Sequence, residues 1–176
     1  MNKLIAWSVI GVILSSASGT LLHFVYDWFG GRIWSVLGAV NESTWEHLKL
    51  IFWPLLIFGA GEYLIYGRKI CGFICAKTKS ILIGMFIIVA GFYTYTGIWG
   101  KNTLILDIGL FFAAVVSSYV FMYRFVNKEN RKCTSSFYSV CCIALLAAIA
   151  LLFIIFTYDT PRIALFQDPV TKLYGI

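Results

Sequence analysis

The side chains best suited to chemistry fall in two short stretches. The first is His23 and Asp27, four residues apart. On a helix that spacing puts both on one face. A carboxylate beside an imidazole orients the ring and favours its charged form. The same pair can serve as two metal ligands, or as a ligand and the group that orients it. The competing reading is a histidine and an aspartate that anchor a helix end in the headgroup layer.

The second stretch is Asn41-Glu42-Ser43-Thr44-Trp45-Glu46-His47. Ser43-x-x-Glu46 fits a capping box, in which Ser43 accepts from the amide of Glu46 and Glu46 reaches back. A helix then begins near Ser43, and capping accounts for both residues. It does not account for His47 or Glu42. A catalytic zinc takes three nitrogen, sulfur or oxygen ligands and keeps one position open. His23, Asp27, Glu46 and His47 satisfy that count if their helices are adjacent, which makes a divalent metal such as zinc the candidate cofactor. No HExxH or HxxxH spacing selects it.

Two further acidic residues lie inside apolar runs. An ionised carboxylate at mid-bilayer costs roughly 3 kcal/mol on insertion scales, so such groups face the bundle interior and find partners. For Asp107 the candidates are Tyr93, Thr94, Tyr95, Thr96 and the histidines. Glu62 is expected to snorkel toward Arg68 or Lys69. The candidate acid–base groups are therefore His23, Asp27, Glu46, His47 and Asp107. The five cysteines, Cys71, Cys75, Cys133, Cys141 and Cys142, form no CxxC pair and no Cys–His zinc spacing. They read as small apolar residues or free thiols, and the odd count argues against a disulfide framework.

The elements that must position these groups follow from composition. Of 176 residues, 60% are hydrophobic and 12% charged, about half the charge of an ordinary soluble domain. Lipid as solvent removes the need for it. The net charge of +6 does not indicate nucleic acid, because the basic residues sit in short connections rather than on one face. Five runs are long enough to span a bilayer: about Leu4–Val25, Thr44–Tyr66, Ile81–Trp99, Thr103–Tyr123 and Phe137–Tyr158, with Pro161 stopping the last. Lys3 and the small residues Ser15-Ser16-Ala17 also resemble a signal peptide, but the apolar run continues through Leu22, which favours an uncleaved first helix.

Basic connections set orientation. Arg68, Lys69, Lys77 and Lys79 lie between the second and third runs. Arg124, Lys128, Arg131 and Lys132 lie between the fourth and fifth. Lys101 stands alone between the third and fourth, and Lys3 precedes the first. The expected fold is an all-α integral membrane bundle of about five transmembrane helices, a single domain over 1–176. Its N-terminus lies inside and its C-terminus outside. Asp27, Glu42, Glu46, Asp107, Asp159 and Asp168 then gather at the outer end, and Glu129 lies inside. Residues 27–43 hold Trp28, Phe29, Ile33 and Trp34 among glycines, which suits an interfacial or re-entrant connection. Residues 160–176 form an extracytoplasmic tail, with a turn at Asp168-Pro169, that can cover the outer cluster. Gly109-x-x-x-Ala113 and Ala144-x-x-x-Ala148 have the spacing of close helix contacts. No internal repeat suggests paired transporter halves.

The segments His23-Phe24-Val25-Tyr26-Asp27-Trp28, Asn41 to His47, Glu62-Tyr63-Leu64-Ile65-Tyr66-Gly67 and Asp168 to Ile176 resemble those of an uncharacterised family of small polytopic membrane proteins from Gram-positive bacteria. The resemblance covers nearly the whole chain. It implies a bacterial cytoplasmic membrane and supplies no activity. Three functions stay open: an outer-face metal or acid–base site, a small ion- or proton-coupled carrier with Asp107 and Glu62 along its path, and a non-catalytic scaffold or partner subunit. The lipid bilayer is the expected partner, nucleic acid is not, and an ion, a small molecule or a lipid is the candidate substrate. Oligomeric state stays open.

Overall fold

A computed structural model of the chain describes residues 3–126 and 135–176. Lys128, Glu129, Arg131, Lys132, Cys133 and the side chain of Lys3 lie outside the described residues. The described residues form six α-helices and no strand. These are α1 (Lys3–Phe29), α2 (Gly31–Leu37), α3 (Thr44–Ile65), α4 (Phe73–Trp99), α5 (Leu104–Val126) and α6 (Ser136–Tyr158). All but α2 are long and apolar enough to cross a membrane. Short 3-10 turns follow α3 at Gly67–Lys69 and lie within the tail at Ala164–Phe166.

In lipid, helices gain little from hiding apolar surface, because acyl tails are equally apolar. Close fit and internal polar bonds must hold the bundle instead. The fit centres on α3, where Ile51, Phe52 and Leu55 are fully buried. Trp45, Phe52 and Phe153 of α6 stack at centroid distances of 4.8 and 5.1 Å about the Phe153 ring. Phe166 of the tail closes the cluster, 4.8 Å from Trp45.

Two ion pairs supply polar bonds inside the bundle. Lys49 of α3 has no solvent exposure. Its ammonium donates to Glu46 Oε2 (2.6 Å), Thr157 Oγ1 of α6 (2.7 Å) and the Ser35 carbonyl of α2 (2.9 Å). All three donor protons are thus used. At the opposite end of α3, Lys77 of α4 donates to Glu62 (2.7 Å) and lies 4.4 Å from the Tyr119 ring centroid. Tyr66 also donates to Glu62 (3.1 Å). Burial first, and then the Glu62 charge, hold the Tyr66 phenol well above its ordinary range, so it stays a donor.

These pairs correct two sequence expectations. Glu62 does not snorkel to Arg68 or Lys69; it pairs with Lys77 across α3 and α4. Lys77 is not a loop residue, because α4 starts at Phe73 rather than near Ile81. A lysine inside an apolar run looks like its boundary, and here its paired burial lets the helix continue past it. The Gly109 and Ala144 stripes are not helix contacts either: Gly109, Ala113, Ala144 and Ala148 are all exposed. Close approach occurs at Gly19, Gly59 and Gly84 instead, each against a neighbouring helix. The free-thiol reading is corrected at Cys71, which is disulfide-bonded, whereas it holds for Cys75 and Cys142, whose thiols lie 2.7 Å apart between α4 and α6.

Candidate metal centre

One helix crossing builds the site. Pro54 has no N–H to bond the Leu50 carbonyl four residues earlier. Gly19 of α1 sits against that carbonyl oxygen, where any Cβ would collide with it and with Phe111. His23 lies four residues after Gly19 and His47 three before Leu50, so each shares the face of its contact residue. The crossing therefore brings the two imidazoles together. Their ring centroids are 5.4 Å apart, edge to face.

The segment between α2 and α3 supplies the third group. It is extended at Gly38 and again at Ser43, the cap of α3. Ser43 Oγ accepts from the Glu46 amide (3.4 Å), as a capping box requires. The return half is replaced, because Asn41 Oδ1 takes the Ser43 amide (2.9 Å). The Glu46 carboxylate turns instead to the Val40 amide (3.0 Å) and to Lys49. Glu42, just before the cap, points its side chain at both histidines.

Glu42 Oε2 lies 3.7 Å from His23 Nε2 and 3.6 Å from His47 Nε2. Those separations exceed a direct hydrogen bond. They suit three ligands around one ion: bonds of about 2.0–2.2 Å in tetrahedral geometry place ligand atoms roughly 3.3–3.6 Å apart. All three ligand atoms lie within 4.8 Å of one another. His47 Nδ1 bonds the Ser43 carbonyl at 2.9 Å. A carbonyl only accepts, so Nδ1 is the donor in that bond, and Nε2 is the ring nitrogen left facing Glu42. This is how a ligating histidine is normally oriented.

The structure places His23 and His47 side by side, with Glu42 rather than Asp27 or Glu46 beside them. Asp27 is exposed and makes no hydrogen bond or ion pair among the described residues. Glu46 is buried with Lys49 and takes no part. Glu42 takes their place, with its side chain 47% exposed, so the ligand set is open to solution. Asp107 lies on the wall of the same cavity, where Tyr95 of α4 donates to it. Tyr95 was among its sequence-level candidates. The cavity measures about 240 Å³ and runs between α1, α3, α4 and α5. Glu62 does not line it.

The tail holds Glu42 from behind. Asp168 is buried and accepts from the amides of Val170 (2.7 Å), Thr171 (3.1 Å) and Glu42 (3.4 Å). Burial raises its carboxyl, but these backbone donors outweigh burial and hold it below the ordinary 3.8. Asn41 Nδ2 donates to the Gly175 carbonyl (2.9 Å). The tail therefore packs on the segment that carries Glu42.

Over residues 1–176 the chain matches the family of unknown function DUF6512, and it belongs to that family. No curated protein and no solved structure matches it.

Proposed function

We propose that this family member is a multi-pass protein of the bacterial cytoplasmic membrane that holds a divalent metal, zinc by preference, at its extracytoplasmic end. His23, Glu42 and His47 are the ligands, and the metal site is of the hydrolytic type. The observation that carries this reading is one carboxylate oxygen standing 3.6 and 3.7 Å from two imidazole nitrogens. Two nitrogens and one oxygen make the ligand set of a catalytic zinc, with a fourth position left for water. A metal there would lower the pKa of its bound water to about 7 and so supply hydroxide at neutral pH.

Asp107 lines the cavity and accepts from Tyr95, and these two are the candidate proton-handling groups for that water. The carrier reading loses Glu62 as a station, since Lys77 and Tyr66 already satisfy it and the cavity does not reach it. Asp27 and Glu46 are not proposed as ligands.

The test is metal analysis of the purified full chain, followed by cobalt substitution. Near-stoichiometric zinc is expected, lost in His47→Ala and Glu42→Gln and kept in Asp27→Asn. The cobalt form should show a visible spectrum that changes with pH near neutrality as bound water loses a proton. Zinc retained by both ligand variants would overturn the assignment. A cobalt spectrum with no titration would remove the water and leave a structural metal.

A further inference from the structure

The cavity beside the ligands says what the site acts on. Its polar groups gather around His23, Glu42, His47 and Asp107, while Leu50, Ile88, Phe92, Leu110 and Phe111 make apolar wall. Its rim is apolar as well. Phe24 of α1 and Leu104, Ile108 and Phe112 of α5 are 44%, 73%, 48% and 42% exposed. These residues belong to helices long and apolar enough to span the bilayer, so in a membrane their exposed side chains would meet acyl chains. A polar solute from water has no reason to enter through such a rim, whereas a lipid tail crosses it without leaving an apolar medium.

Resting on the metal reading above, we propose that this cavity takes the acyl chain of a membrane lipid, sideways from the bilayer, and presents its carbonyl or carboxylate oxygen to the metal. The cavity wall then sets chain fit and the metal sets recognition. Moving a tail from bilayer to cavity changes little free energy, because both media are apolar. Selective binding must come from the oxygen-bearing end. No lysine or arginine lines the cavity, so the metal is the cation available to that oxygen among the described residues. Acyl-lipid binding is therefore expected to need metal.

The experiment uses the full chain in phosphatidylcholine nanodiscs and a hexadecanoic acid carrying a mid-chain diazirine. After irradiation, labelled peptides are mapped by mass spectrometry and zinc is measured on the same sample. Expected is labelling of α1 and α5 residues at the cavity, reduced several-fold by chelation. Ile108→Trp, a variant of an apolar lining residue that supplies no ligand atom, should lower labelling several-fold while keeping its zinc. Zinc bound but labelling indifferent to chelation and to Ile108→Trp would overturn this proposal and leave the metal site standing. Absence of zinc from the wild-type chain would overturn the metal reading, and this proposal with it.

Discussion

Glu42 and Asp27 separate what spacing can reveal from what it cannot. Asp27 follows His23 by four residues, so helical periodicity pairs them, yet His23 turns toward α3 and Asp27 stays exposed. Glu42 belongs to no helix, and no period predicts where an extended cap segment aims its side chain. Only the fold shows that it meets both imidazoles. Lys49 escaped notice for a related reason: its three acceptors come from α2, α3 and α6, and no local pattern announces such a meeting. Its replacement provides a residue-scale prediction. Lys49→Met leaves Glu46 buried with the Val40 amide as its remaining partner, and breaking one side of a buried pair costs about 3–5 kcal/mol. A markedly lower unfolding midpoint in detergent is expected. The double variant Lys49→Met/Glu46→Leu should recover part of the loss, because it leaves no unpaired charge. No recovery in the double variant would show that the pair is not what stabilises this end of α3.

Spanning runs were legible because length and hydropathy suffice in lipid, where every backbone group must be bonded within its own helix. Element contacts were not. Spacing pointed to Gly109, yet Gly109 is exposed, and the close crossing falls at Gly19 against the Leu50 carbonyl. The difference lies in Pro54, which frees a carbonyl that only a glycine can approach. Gly19→Leu should push α1 from α3 and part His23 from His47. Its expected effect is at least a tenfold loss of zinc affinity with helix content retained by circular dichroism; unchanged affinity would detach the crossing from the site. The tail is a second positioning element. Asp168→Asn weakens the acceptor of the Glu42 amide, and second-sphere changes typically cost roughly 10–100-fold in metal affinity. The Asp168 carboxyl is held below 3.8, so its folded-state value lies under its unfolded one. Its contribution is fully present above about 3.8 and is lost as pH falls through the lower folded value. Proteolysis of the tail should therefore stay slow at mildly acid pH and accelerate only in strong acid, and in Asp168→Asn it should be fast throughout.

At the scale of the whole molecule the two buried pairs mark opposite ends of α3, and the remaining basic residues choose between those ends by their place in the chain. Setting aside Lys49 and Lys77 as paired, Lys3, Arg68, Lys69, Lys79, Arg124, Lys128, Arg131 and Lys132 belong to one end by their order in the chain. Arg32, Lys101, Arg162 and Lys172 belong to the other. Loss of Lys77 from the loops weakens the bias without reversing it, because the positive-inside rule counts Lys and Arg near span ends. His23, Glu42 and His47, the ligands proposed above, sit at the poorer end with the tail, and the positive-inside rule would put that end outside. A phosphatase fused after Ile176 should be active in intact cells, since that enzyme needs an oxidising exterior, and a fluorescent protein fused there should stay dark. Chelation gives the complementary reading. A membrane-impermeant chelator added to intact spheroplasts should strip the metal from the wild-type chain, because Glu42 is half exposed at that surface. Metal released only after permeabilisation, with an inactive phosphatase fusion, would turn the bundle over. The acyl substrate would then have to come from the inner leaflet and the metal from the cytoplasm.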